Sequence, residues 1–199
     1  IRIRDISYRY GSDTVLSHFS YTFEKGFIYG ITAPSGTGKT TLLNLIGNIL
    51  KPAQGEIETD FKTGIAYVFQ EPELLSQLTI AENIALPLAT YLKKEIAFEQ
   101  AISILQKMEL GGFENRFPNE LSFGQQQRAA IARALTYPSP LLLMDEPFKG
   151  LDEALSRRII KRIRERQTEN GQTILFTSHN PGELRLFADK TVRLDPTSH

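Results

Sequence analysis

Ala33-Pro34-Ser35-Gly36-Thr37-Gly38-Lys39-Thr40-Thr41 is the stretch that decides the fold, because it joins apolar runs at 27–31 and 42–46. A strand, a glycine-rich turn and a helix in this order are typical of a P-loop, which attracts phosphate with backbone N–H groups and a helix N-terminus. Lys39 adds a mobile positive charge for the outer phosphates, and the Thr40 hydroxyl can ligate Mg²⁺. Ala33 departs from the pattern, since the first glycine is expected there. We predict a bound nucleotide here; the alternative is a turn that binds nothing.

The composition indicates a single soluble domain. The chain has 199 residues, of which 41% are hydrophobic and 23% charged, and its 23 Lys and Arg balance its 23 Asp and Glu. Zero net charge gives no overall preference for nucleic acid, so we expect no nucleic-acid partner. The absence of cysteine excludes disulfides, thiol catalysis and Cys-based zinc sites. No apolar run approaches the roughly 18 residues of a membrane span, and the first residues lack a signal-peptide layout, so we expect cytoplasmic residence.

Alternation of apolar and polar residues in the first part of the chain predicts antiparallel β-structure, whereas strands that alternate with helices later predict a mainly parallel sheet. A helical texture follows Thr79, and Ala97, Ala101, Leu105 and Met108 would share one helical face. We therefore predict an α/β fold with one domain over 1–199. Its predicted parts are a largely antiparallel β subdomain at 1–32 and 52–62, a core around the P-loop at 33–51, 63–72 and 119–199, and a helical insertion at about 73–118.

Polar side chains follow the predicted strands at the edge where parallel sheets bind ligands. Asp145 follows four apolar residues and is predicted to hold Mg²⁺, directly or through water, and Glu146 could act as general base for in-line attack on a γ-phosphate. The alternative is a pair of solvated turn acids. Gln70 could bridge Mg²⁺ and the attacking water, and His179 could hydrogen-bond a γ-phosphate oxygen. Each of these two, taken alone, is more often structural.

A second anion-binding helix start is predicted at Ser122 and Gly124, which precede a helix. Two phosphate-binding helix N-termini so far apart in sequence either face one nucleotide within a chain or meet the nucleotides of two copies. Ser122 could also be an ordinary N-cap.

Together these motifs resemble the nucleotide-binding domain of ABC ATPases, the ATP-binding subunits of ABC transporters. The resemblance covers essentially the whole chain and rests on the order of the motifs. These are Walker A (33–41), the Q-loop (Gln70), the signature (121–125), Walker B (141–146), the D-loop (150–152) and the switch (His179), with Tyr10 matching the adenine-stacking aromatic and Val15 the small apolar residue after it.

The resemblance implies a role for each matching residue. The catalytic residues would be Glu146, His179 and Gln70. The residues that hold Mg²⁺ would be Thr40, Gln70 and Asp145, the last through water. ATP would contact Tyr10, Val15, Ser35, Gly36, Thr37, Gly38, Lys39, Thr40 and Thr41. The ATP of a partner chain would contact Ser122, Gly124 and Gln125, and Asp152 belongs to the D-loop.

The resemblance implies that the chain hydrolyses ATP to power a membrane transporter, and it also implies partners and a place in the cell. Two such domains, identical or paralogous, associate head to tail around ATP, and a membrane permease docks beside the Q-loop. The chain would then be peripheral on the inner face of the cell membrane. The run 145–148 looks like that of importer ATPases, which would add an extracytoplasmic binding protein as a partner.

Three residues depart from the family pattern, and two other functions stay open. Ala33 and Phe123 replace glycines of Walker A and of the signature, and Lys149 replaces a small residue before the D-loop. The first alternative, a soluble ABC ATPase acting on nucleic acid or ribosomes, should show tandem domains or a long coiled-coil insertion. The second, a P-loop small-molecule kinase, leaves the signature unexplained.

Overall fold

The computed structural model describes residues 1–34, 36–61 and 64–195. The strands are β1 (Arg2–Tyr10), β2 (Asp13–Thr22), β3 (Ile28–Thr32), β4 (Gln54–Glu58), β5 (Ala66–Val68), β6 (Leu141–Met144), β7 (Thr173–Thr177) and β8 (Lys190–Arg193). The helices are α1 (Lys39–Ile46), α2 (Ile80–Leu88), α3 (Lys94–Lys107), α4 (Phe123–Thr136), α5 (Glu153–Asn170) and α6 (Pro181–Phe187). The predicted α/β fold with a mainly parallel sheet is confirmed.

A five-stranded parallel sheet of order β5-β6-β7-β3-β8 forms the centre of the described chain. Along β6, Leu141 and Leu143 belong to one apolar cluster, and Leu142 and Met144 belong to another on the opposite face. The centre of the sheet is therefore buried on both faces, which explains why β6 is an uninterrupted apolar run. The carboxyl ends of β3, β6 and β7 consequently meet at one edge.

The first two strands form the predicted antiparallel structure, and β1 also pairs with β4 to give a separate three-stranded sheet of order β2-β1-β4. The strand β3 lies within the range 1–32, which the predicted division gave to the antiparallel subdomain. It instead pairs in parallel with β7 and β8 at the heart of the other sheet. Alternation along the chain does not reveal this, because β3 has only five residues, four of them buried.

The segment between β5 and β6 contains α2, α3 and α4. The predicted helical face of Ala97, Ala101, Leu105 and Met108 is confirmed, since all four residues are buried in one cluster with residues of α2 and α4. In the described residues, no helix combines the length and the apolar character needed to cross a membrane.

Gly55 in β4 provides a test of how the antiparallel sheet is built. Its φ is +82°, and a Cβ there would lie against the carbonyl oxygens of Arg4 and Asp5 in β1. We expect Gly55→Ala to lower the free energy of unfolding by about 3 kcal/mol, through backbone strain and this clash. Denaturant titration measures the change. Gly111→Ala is the matched control and should be nearly neutral, because the nearest atom to its added Cβ lies 3.9 Å away.

Candidate nucleotide-hydrolysing site

The P-loop lies between β3 and α1 at the carboxyl edge of the parallel sheet. Gly38 is the N-cap of α1 with a φ of +87°, and a Cβ on it would lie 2.8 Å from Cγ1 of Val15. No side chain caps this helix, so its first N–H groups remain available to an anion. Lys39 Nζ donates to the carbonyl oxygens of Ala33 at 2.9 Å and Pro34 at 3.3 Å. Its ammonium is therefore held over the loop, where phosphate would lie.

Asp145, at the end of β6, is 2% exposed and joins two threonines. Its Oδ2 accepts from Thr40 Oγ1 at 2.6 Å, and its Oδ1 accepts from Thr177 Oγ1 at 2.6 Å. Because both carboxylate oxygens are engaged, the carboxylate is fixed beside the first turn of α1. The alternative of a solvated turn acid is wrong for Asp145.

Glu146 lies in an uncommon backbone conformation for a non-glycine residue, with a φ of +46°. Its N–H donates to Thr177 Oγ1 at 2.9 Å, and its Oε2 lies 3.0 Å from His179 Nδ1. The Glu146 side chain is 13% exposed and that of His179 is 77% exposed. The structure thus brings together the predicted general base and the predicted γ-phosphate contact.

A half-buried carboxyl group four residues after His179 fixes the turn that carries it. Ser178 Oγ donates to Glu183 Oε2 at 2.5 Å. Burial raises the pKa of Glu183, and the nearby charge of Glu146 raises it further, against the hydrogen bond from Ser178. This bond fixes the turn that carries His179 to the first turn of α6.

Most of the predicted ATP-binding and catalytic residues line one cavity of about 570 Å³. It is lined by Tyr10, Val15, Gly36, Gly38, Lys39, Thr40, Thr41, Gln70, Asp145, Glu146, Lys149 and His179. Thr37 is buried in the loop itself, and Ser35 lies outside the described residues. The size is that of a small-molecule site.

The lining residues fit a nucleoside triphosphate. Tyr10, at the end of β1, is 51% exposed and touches Tyr8 edge to face at 5.0 Å between ring centroids. The ring is thus supported from one side and accessible for stacking against a base. The uncapped N-terminus of α1 and the ammonium of Lys39 provide the donors that phosphate requires.

The donor set also fits Mg²⁺, which prefers oxygen ligands and keeps several waters. Thr40 Oγ1, the Asp145 carboxylate and the Gln70 side chain supply such oxygens at the cavity. Within 1–34, 36–61 and 64–195, no cluster of three or more His, Asp or Glu residues forms a cage for a metal. A magnesium site here would therefore share its ion with the phosphates, and the ion would neutralise their charge.

The signature residues lie apart from this cavity. Ser122, Gly124, Gln125 and Asp152 are not among the described residues that line it. Ser122 is the N-cap of α4 in a capping box: its Oγ accepts from Gln125 N at 3.4 Å, and Gln125 Oε1 accepts from Ser122 N at 2.9 Å. The N-cap interpretation of Ser122 is therefore correct, and its hydroxyl proton remains a possible donor.

The start of α4 packs closely on the D-loop of the same chain. A Cβ on Gly124 would lie 2.6 Å from the carbonyl oxygen of Gly150, so only glycine fits this approach. Asp152 caps α5 by accepting from Leu155 N at 2.8 Å. The signature and the D-loop thus pack against each other and form one surface.

Sequence reasoning missed two residues of the site. Thr177 holds both Asp145 and the backbone of Glu146, and its position at the carboxyl end of a predicted strand was the available signal. Lys149 was noted only as a departure, yet it lines the cavity. No local pattern predicts that its side chain turns toward the cavity.

The fold and the site define a P-loop nucleotide-hydrolysing domain. Residues 16–149 match the family described as ABC transporter. The chain belongs to the ABC transporter family, and the general activity of its ATP-binding subunits is ATP hydrolysis coupled to transport.

Relatives agree with this assignment. The "Thiamine import ATP-binding protein ThiQ" of Shigella boydii serotype 4 is 36% identical over 96% of this chain and 86% of its own length. The "Fe(3+) ions import ATP-binding protein FbpC" of Photorhabdus laumondii is 34% identical over 95% of this chain and 57% of its own length. A dimeric structure of the ATP-binding cassette MJ0796 in a post-hydrolysis state with ADP and Pi has a TM-score of 0.89 and 32% identity, covering 98% of this chain and 94% of that one. The predictions of an ABC ATP-binding subunit, and of an ATPase that powers membrane transport, are confirmed.

Proposed function

We propose that this chain is the Mg²⁺-dependent ATP-hydrolysing subunit of an importer, with its catalytic centre in the P-loop cavity. The observation that carries the proposal is a continuous set of hydrogen bonds across the sheet edge. Thr40, Asp145, Thr177, the backbone of Glu146 and the His179 ring are connected through contacts of 2.6–3.0 Å. Such preorganisation suits in-line phosphoryl transfer to water.

In this proposal the P-loop amides and Lys39 hold the phosphates. Glu146 accepts a proton as a water oxygen bonds to the γ-phosphorus and the bond to the bridging oxygen breaks. Gln70 orients the water, and His179 hydrogen-bonds a γ-phosphate oxygen. Asp145 orients the Thr40 hydroxyl through its 2.6 Å bond.

We also propose that a second copy, or a paralogous subunit, completes each site. Ser122 and Gly124 offer a helix N-terminus that does not line the described cavity of its own chain. A head-to-tail pair would bring this helix end to the partner's nucleotide. In such a two-fold pair, each P-loop cavity would face the start of α4 in the other copy. The related cassette MJ0796 is dimeric with ADP and Pi bound, which supports the association of two copies.

The names of the relatives motivate the proposal of further partners. Both are named for import, of thiamine and of ferric ions, and this supports import here. We propose a membrane permease as docking partner, an extracytoplasmic binding protein as cargo donor, and a peripheral position on the cytoplasmic face. The proposed site takes only nucleotide, so the permease and the binding protein would determine the cargo.

Reconstitution tests the proposal. The chain would be co-expressed with a candidate permease and placed in liposomes. ATP hydrolysis should rise several-fold when cargo-loaded binding protein is added on the other side, and Lys39→Ala should abolish it. Hydrolysis stimulated by nucleic acid without the permease would favour the soluble ATPase, and ATP use that requires a phosphate acceptor would favour a kinase.

A further inference from the structure

Lys149 adds a second cation to the nucleotide cavity. Its backbone N–H donates to the Glu146 carbonyl oxygen at 3.1 Å, which closes a turn directly after the proposed general base. Its side chain lines the same cavity as Lys39, Gln70 and Glu146. Lys149 therefore lies at the end of the cavity where the outer phosphates are expected.

The ammonium of Lys149 has two weak partners. Its Nζ lies 3.6 Å from Glu71 Oε1 and 5.5 Å from the centroid of the Phe123 ring. The two charged side chains are 43% and 65% exposed, and ion pairs so exposed contribute little. Phe123 is one of the departures from the signature, so two departures from the family pattern touch each other here.

We propose that Lys149 binds the outer phosphates of the nucleotide and that Glu71 competes with them for its ammonium. The inference rests on the proposed ATP site. A lysine on a flexible stem can exchange one exposed carboxylate and a ring face for several phosphate oxygens, which together carry more charge. Glu71 directly follows Gln70, so the competing carboxylate is fixed to the same edge of the site.

A purely structural bridge makes the opposite prediction for Glu71. If Lys149 only ties the Gln70 segment to α4, removing either end should harm the site in the same way. If Glu71 competes with phosphate, removing its charge should help binding while removing Lys149 weakens it. The signs of the two changes therefore separate the explanations.

The test measures ATP and AMP affinities of the purified full chain by titration calorimetry. We expect Lys149→Met to weaken ATP binding about fivefold, as one charge contact in water provides, with AMP binding little changed. Glu71→Gln should tighten ATP binding by roughly twofold, and the double variant should behave like Lys149→Met. Lys149→Arg should retain most of the affinity, because it keeps the charge.

The control is Lys161→Met on α5. Its side chain is 79% exposed, its ammonium pairs with Glu165 at 4.0 Å, and it does not line the cavity, so ATP affinity should not change. Unchanged ATP affinity in Lys149→Met, or weaker binding in Glu71→Gln, would overturn the inference. Lys39→Ala tests the ATP site separately. If it abolishes ATP binding, the proposed function is supported whatever Lys149 does. If it leaves ATP binding unchanged, the proposed site is wrong. Thermal unfolding without nucleotide checks that each variant folds.

Discussion

Replacing Glu146 by Gln should abolish ATP turnover while ATP binding remains. The substitution keeps the size of the side chain, and the backbone bond to Thr177 does not depend on it. The amide can still meet His179, which lies 3.0 Å from the carboxylate. It cannot accept the proton of the attacking water, so kcat should fall by about 10²–10⁴-fold. Phosphate release measures this fall.

The same variant should accumulate as an ATP-bound dimer, because hydrolysis is the step that releases the proposed pair. Light scattering with ATP and Mg²⁺ measures the mass. Glu165→Gln on the exposed side of α5 is the matched control and should keep normal turnover. Wild-type turnover in Glu146→Gln would contradict the assignment of Glu146 as the general base.

The fold could be predicted from sequence where local pattern and tertiary role coincide. The P-loop and the buried runs of β6 and β7 gave the parallel sheet, because strands covered on both faces are continuously apolar. The carboxyl-end rule then brought Asp145, Glu146 and His179 to one edge before any distance was known. Their contacts at that edge agree with the rule.

Sequence could not predict contacts that depend on the order of strands. Thr177 reaches Asp145 only because β7 lies beside β6, and nothing local fixes that neighbour. For the same reason, the strand partners of β3 could not be predicted. The strands before and after it in sequence are antiparallel, whereas β3 pairs in parallel with β7 and β8. Element order along the chain is therefore a poor guide to strand partners in this protein.

Departures from a family pattern were visible in the sequence but could not be interpreted there. Phe123 and Lys149 are 26 residues apart in the sequence, and each alone looks like an isolated substitution. In the structure the Lys149 ammonium lies 5.5 Å from the Phe123 ring, and the ring lies against Gly150. Two departures that contact each other can be interpreted together, because a change at one alters the surroundings of the other.

Two inactive variants should restore activity when mixed. Lys39→Ala removes the phosphate-binding ammonium, and Ser122→Arg places a bulky cation at the proposed partner-facing end of α4. In a mixed pair, the intact P-loop of the Ser122→Arg chain meets the intact signature of the Lys39→Ala chain. Random pairing makes half of the dimers mixed, each with one complete site, so the mixture should reach about a quarter of wild-type turnover.

The restoration separates action between chains from action within one chain. If Ser122 served the nucleotide of its own chain, neither variant would contain a complete site and the mixture would stay inactive. Thr79→Arg is the matched control, because Thr79 is also the N-cap of a helix in a capping box, at the start of α2. It should lose the same capping contribution of about 1 kcal/mol and keep its turnover. ATP turnover by Ser122→Arg alone would contradict the proposed role. The substitution would then have removed only the N-cap hydrogen bond of α4 and no contact with the partner's nucleotide.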